Sequence, residues 1–145
     1  AGSPLPDSPA TVFTRNRICL CYEFANKEAA ASLKTRLESE GYELFHGPVN
    51  DYRTPIEFQL AARILHSFAM VVLAESIDAD FGLPVWIFQE MDLALALGLP
   101  VIVITSAGCQ DMFHPPVIPL LYPEGGLDAL YPQLSTILNR LIINI

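Results

Sequence analysis

The stretch from Pro84 to Val101, PVWIFQEMDLALALGLPV, holds the residues of this sequence that are best suited to chemistry. Trp86 and Glu90 are four residues apart, so on a helix they lie on one face, one turn from each other. A carboxylate next to a large aromatic ring can stabilise positive charge in a setting that is partly screened from water. The same spacing fits a core helix with one solvated glutamate, and the spacing alone leaves both interpretations open.

Composition limits the classes of function. The chain has 145 residues, of which 52% are hydrophobic and 17% are charged, which predicts one domain with a core and argues against a chain that is disordered as a whole. A net charge of −8 with eight Lys and Arg and no basic stripe argues against a nucleic-acid partner. No apolar run approaches the roughly 20 residues of a membrane helix. The three cysteines, without a CxxC pair or a Cys/His cluster, predict reduced thiols in the cytoplasm and no metal site.

The proline-rich N-terminal arm, residues 1–16, is expected to be partly disordered. Apolar runs and helical stripes alternate along the chain after it. The runs predict strands at Ile18–Tyr22, Tyr42–Phe45, Ala69–Ala74, Val101–Thr105 and Val117–Leu121. The stripes predict helices at Lys27–Glu40, from a Thr54-Pro55 start to about Leu65–Ser67, at Val85–Leu97 and at Gly126–Ile143. This order predicts one α/β domain over residues 17–145, an open parallel sheet with helices on both faces.

Single residues refine this prediction. Gly41 and Gly98 are expected to end the helices before them. Pro119 favours an edge position for the fifth strand, and Pro132 is expected either to kink the last helix or to delay its start. Cys19 and Cys21, two apart on a strand, are expected to point the same way.

Ligands of open parallel sheets bind beyond the carboxyl ends of the strands. The loops there are Glu23–Asn26, His46–Arg53, Glu75–Pro84 and Ser106–Pro116, and the helix with Glu90 starts from one of them. The chain has no GxGxxG, GxxxxGK[ST] or GxSxG motif, which disfavours an ordinary dinucleotide fold, a phosphate loop and a hydrolase elbow.

The order of these pieces from Arg17 to Ile143 resembles a TIR (Toll/interleukin-1 receptor) domain, which has a flavodoxin-like five-stranded parallel sheet. Ile18–Tyr22, ICLCY, stands at the family's first box, and 46–54 stands at its BB loop. Ser67 resembles the serine before the family's third strand, and Trp86-Ile-Phe-Gln-Glu90 resembles its Trp-x-x-x-Glu helix. The chain departs from the family where Cys21 replaces the usual box-one serine, where Glu23 and Phe24 replace a basic residue, and where Thr54-Pro55 replaces a glycine.

The resemblance implies an NAD⁺ nucleosidase or ADP-ribosyl cyclase with Glu90 as the catalytic residue and NAD⁺ as substrate rather than cofactor. The expected substrate-binding residues are Tyr22, Glu23, Phe24, Arg53, Ile56 and Trp86. Among them Tyr22 or Phe24 is expected to stack on a base, and Arg53 and the backbone N–H groups of 23–26 to hold the diphosphate. The resemblance also implies a cytoplasmic role in bacterial antiviral immune signalling. It further implies activation by self-assembly through the loop 46–54 and a sensor or effector domain as a further partner.

Two other functions stay open. One is a non-catalytic TIR module that signals through TIR–TIR contacts, which the altered box-one residues favour. The other follows from the pattern Glu90-x-x-x-Ala94-x-Ala96-x-Gly98-x-Pro100-Val101, which resembles nucleoside 2-deoxyribosyltransferases. Those enzymes also use a glutamate against an N-glycosidic bond, but their Asp-x-Gly-Thr motif is absent before Glu90.

Overall fold

A computed structural model describes residues 16–22, 26–45, 64–74, 85–105, 113, 115–122 and 126–143. The strands are β1 (Arg17–Tyr22), β2 (Glu43–Phe45), β3 (Ala69–Ala74), β4 (Val101–Thr105) and β5 (Ile118–Leu121). The helices with both ends in the described ranges are α1 (Lys27–Ser39), α2 (Val85–Ala96) and α3 (Leu127–Ile143). A further helical turn at 64–65 precedes β3.

The five strands form one parallel sheet in the order β2-β1-β3-β4-β5. The predicted fold class, a flavodoxin-like α/β fold, is confirmed. Cys21 of β1 is the register partner of Val72 on β3, and Ala74 at the end of β3 is the partner of Thr105 at the end of β4. β3 lies at the centre of the sheet and all six of its residues are buried, as its unbroken apolar run predicts.

Alternation along the strands divides the core into two layers. Ile18 and Leu20 of β1 lie in the layer that α1 and α3 cover, together with the even-numbered residues of β4. Cys19 and Cys21 lie in the layer that α2 and Ile64 cover, so the prediction that the two thiols point the same way is confirmed. Helices therefore cover both faces of the sheet.

The observed ends of the elements differ from the predicted ones by one residue in several places. α1 ends at Ser39 and α2 at Ala96, and Gly41 and Gly98 follow them with φ values of 96° and 83°. Pro119 lies on an edge strand, as predicted. The last helix begins at Leu127, five residues before Pro132, so Pro132 does not delay its start. Pro132 is the sixth residue of α3, so it lies beyond the first turn and removes one intrahelical hydrogen bond, the one to the carbonyl of Asp128.

Several predictions lie outside the described residues. They are the arm before Asn16, the Thr54-Pro55 helix start, most of the four loops at the carboxyl edge, and Cys109. Within the described ranges, no helix has the length and apolar character needed to cross a membrane.

Candidate functional site

α2 carries one acidic side chain within its buried stripe. Ile87, Met91 and Ala94 are buried against the sheet, at the spacing of one helical face. Glu90 lies three residues after Ile87 and four before Ala94, so helical geometry places it on the side of α2 that faces the sheet. Its side chain is half-buried, whereas Asp92 on the same helix is exposed. Burial of a carboxylate is unfavourable unless it is paired, so its partners identify the site.

The Glu90 side chain reaches β1. The Cys21 thiol donates a hydrogen bond to Oε2 of Glu90 with a sulfur–oxygen distance of 2.7 Å. Cys21 is 4% exposed and is the penultimate residue of β1, so the carboxylate lies near the carboxyl end of that strand. The contact joins two residues 69 positions apart in the sequence.

This position is where open parallel sheets bind ligands. The chain leaves β1 for β2 on one side and then crosses to β3 on the other, so the strand order reverses between β1 and β3. The crevice at such a reversal, beyond the carboxyl ends of the strands, is the usual ligand site of the fold. Glu90 is held against β1 beside this crevice.

The thiol next to Glu90 stays protonated. The pKa of Cys21 is raised well above its ordinary value of 9.0. The causes, largest first, are a hydrogen bond with Cys19, burial of the side chain, electrostatic interaction with Cys19 and then with Glu90, and the hydrogen bond with Glu90. Cys21 therefore acts at neutral pH as a neutral hydrogen-bond donor and not as a thiolate nucleophile.

A second polar group lies on the same face of the sheet. Thr105 is the last residue of β4 and is fully buried, and its hydroxyl has no hydrogen-bond partner among the described residues. The alternation of β4 puts Thr105 on the side of Val103, in the layer that α2 covers. Its register partner Ala74 separates it from β1. Two strand spacings and a two-residue offset put its Cα roughly 12 Å from that of Cys21.

The predicted substrate-binding residues are placed differently. The side chain of Tyr22 is half-buried and packs in the layer of α1 and α3, so the structure does not bring it next to Glu90. Trp86 is in the first turn of α2, but its side chain lies outside what is described. Glu23, Phe24, Arg53 and Ile56, and the loop 46–54, also lie outside the described residues.

Sequence reasoning did not assign a role to Cys21 or Thr105. The sequence held one signal for the contact between Cys21 and Glu90, because Glu90 continues the stripe of Ile87, Met91 and Ala94 and must therefore face the sheet.

Among the described residues, no group of three or more Cys, His, Asp and Glu side chains could hold a metal ion. No protein-family model and no curated protein sequence matches this chain.

Proposed function

We propose that this chain is an enzyme that cleaves the N-glycosidic bond of NAD⁺, a nucleosidase or cyclase of the TIR type, with Glu90 as its catalytic residue. One observation supports the proposal above the others. A single half-buried carboxylate is held by Cys21 at the carboxyl edge of the sheet, beside the reversal between β1 and β3.

The reaction needs little more than such a carboxylate. The bond between ribose C1′ and the pyridinium nitrogen breaks, and its electron pair moves to the nitrogen, which leaves as neutral nicotinamide. No general acid is required, unlike the hydrolysis of an ordinary glycoside. Positive charge grows on the ribose, and a carboxylate at that point stabilises it. Water then adds at C1′ and loses a proton, which gives ADP-ribose, or the adenine ring adds and gives a cyclic product.

The environment of Glu90 suits this role. On the face of the sheet that α2 covers, the strands present Val72, Ala74 and Val103, which are all fully buried and apolar. An apolar surrounding strengthens the effect of a fixed charge on a reacting group.

The test compares purified wild type with Glu90→Gln and with Asp92→Asn, which removes an exposed carboxylate from the same helix. Each protein is incubated with NAD⁺ at high protein concentration, and nicotinamide, ADP-ribose and cyclic ADP-ribose are separated by chromatography. We expect Glu90→Gln to lose about 10²–10³-fold in rate, and Asp92→Asn to keep the wild-type rate. Circular dichroism checks that each variant is folded. Wild-type turnover in Glu90→Gln would show that Glu90 is not the catalytic residue.

A second candidate function is the transfer of a deoxyribosyl group from one nucleobase to another. In this reaction the carboxylate of Glu90 would act as the nucleophile that attacks C1′. The position of Glu90 at the crevice favours this function as well. Incubation with a 2′-deoxynucleoside and a second free base separates the two candidates, because only a transferase forms the exchanged nucleoside. Inactivity on both substrates would favour the non-catalytic TIR module.

The cellular compartment, the assembly and the biological role are part of the same proposal. Cys19 and Cys21, the two cysteines within the described residues, are both free thiols, which agrees with a reducing, cytoplasmic compartment. Self-assembly through the loop 46–54 and a role in antiviral immune signalling follow from the TIR resemblance. Specific activity that rises with protein concentration would support activation by assembly, and constant specific activity would contradict it.

A further inference from the structure

The Cys21 side chain is a short donor beside a longer acceptor side chain, Glu90. Cys21 is paired with Val72 of β3, the central strand, so its backbone is held within the sheet. A cysteine side chain has one torsion between the backbone and its sulfur. Glu90 has three torsions, and its carboxylate reaches β1 across the space between helix and sheet. The hydrogen bond therefore selects one arrangement of the glutamate.

The chemistry of the donor also matters. A thiol is a weak donor, and here it is neutral. It can orient a carboxylate without cancelling the negative charge, which an arginine or lysine at the same point would do. The other titratable groups of β1 on this face are Cys19 and Arg17, and Arg17 forms an ion pair with Glu43 of β2. β3 and β4 carry no titratable side chain.

We propose that Cys21 is a positioning residue for Glu90, whose thiol holds the Oε2 atom so that the carboxylate faces the ribose of the substrate. This inference rests on the proposed function, because it assigns a second residue to the same reaction. A carboxylate that loses its orienting contact is misplaced, and misplacement by about 1 Å can cost on the order of 10²-fold in rate.

The experiment compares Cys21→Ala, Cys21→Ser and Val101→Ala. Val101 is the control because it is fully buried in the same core layer but lies at the start of β4, away from the carboxyl edge of the sheet. For Cys21→Ala we expect kcat for NAD⁺ cleavage to fall about tenfold or more, with KM within about twofold. Cys21→Ser keeps a donor and is expected to recover most of kcat, while Val101→Ala keeps the wild-type value.

A purely structural role would give a different pattern, because both alanine variants leave a small cavity in the same core layer. Equal losses in Cys21→Ala and Val101→Ala, or no recovery in Cys21→Ser, would overturn the proposal. A change in KM alone would also overturn it.

A second readout does not depend on activity. The S–H stretching band of the Cys21 thiol is measured by infrared spectroscopy in a variant that carries Cys19→Ala and Cys109→Ala, so that Cys21 is its one remaining cysteine. The measurement is made with and without the additional Glu90→Gln substitution. An amide oxygen is a weaker acceptor than a carboxylate, so Glu90→Gln is expected to move the band to higher frequency. An unchanged band would overturn the positioning proposal even in an active enzyme. A shifted band in a protein that does not cleave NAD⁺ would support the positioning of Glu90 and contradict only the proposed substrate.

Discussion

Replacing Thr105 by valine should stabilise this protein. The hydroxyl is fully buried at the end of β4 and has no hydrogen-bond partner among the described residues. Valine has nearly the same shape and is also β-branched, so the substitution leaves no cavity and keeps the strand preference. Removing an unpaired buried hydroxyl recovers about 1–3 kcal/mol, and the added methyl contributes up to about 0.8 kcal/mol. We expect the free energy of unfolding to rise by about 2 kcal/mol. This figure takes the lower part of the range for the buried hydroxyl, because Thr105 is at the end of its strand.

Urea denaturation followed by far-ultraviolet circular dichroism measures this change, and thermal denaturation should show a rise in Tm of about 4–8 °C. Thr105→Ser is the control, because it keeps the hydroxyl and loses only the methyl group. Its free energy of unfolding should fall by about 1 kcal/mol. If Thr105→Val instead lowers the free energy of unfolding by 1 kcal/mol or more, the hydroxyl has a bonded partner and the reasoning is refuted.

Two further predictions concern the thiol and a turn. The pKa of Cys21 is raised on folding, so above pH 9.0, the ordinary value for a thiol, the unfolded chain releases a proton that the folded chain retains. The stability contributed by Cys21 is present below that pH and is lost as the pH rises, so urea denaturation between about pH 8 and 10 should show a steeper decline in wild type than in Cys21→Ala. Gly98 has a φ of 83°, and a Cβ there would meet nothing within 4 Å, so backbone strain alone acts. Gly98→Ala should cost about 1–2 kcal/mol and Gly98→Asn less, measured by urea denaturation, and equal losses would contradict this cause.

The fold could be predicted because local signals agreed with one another. β3 and β4 have the predicted bounds, since each is a short apolar run between polar residues or turn-forming residues. Gly41 and Gly98 end their helices because only glycine adopts a positive φ without strain. The helix α2 ends at Ala96, one residue before the predicted end at about Leu97, because the apolar pattern of the sequence continues through Leu97.

The site could be predicted only in part. The spacing to Trp86 points to Glu90 as the candidate residue. Its partner Cys21 cannot be predicted in the same way, because it depends on which strand lies opposite α2, and the order of the strands is a property of the whole sheet. The unpaired hydroxyl of Thr105 could not be predicted, because burial of the last residue of a strand depends on what covers the sheet there. Tyr22 was expected at the substrate, yet its position one residue after Cys21 puts it on the opposite face.

The two borders of the sheet bear on how copies of this chain can meet. β2 has only three residues, and β5 has four, one of which is Pro119 and lacks a backbone N–H. Short border strands and proline are the devices by which natural sheets avoid pairing with a neighbouring molecule through their backbones. The borders of the sheet, as far as the described residues show them, therefore favour contacts between copies through helices and loops over extension of the sheet. Such contacts use side chains, so a few surface substitutions could dissolve an assembly while leaving every strand in place.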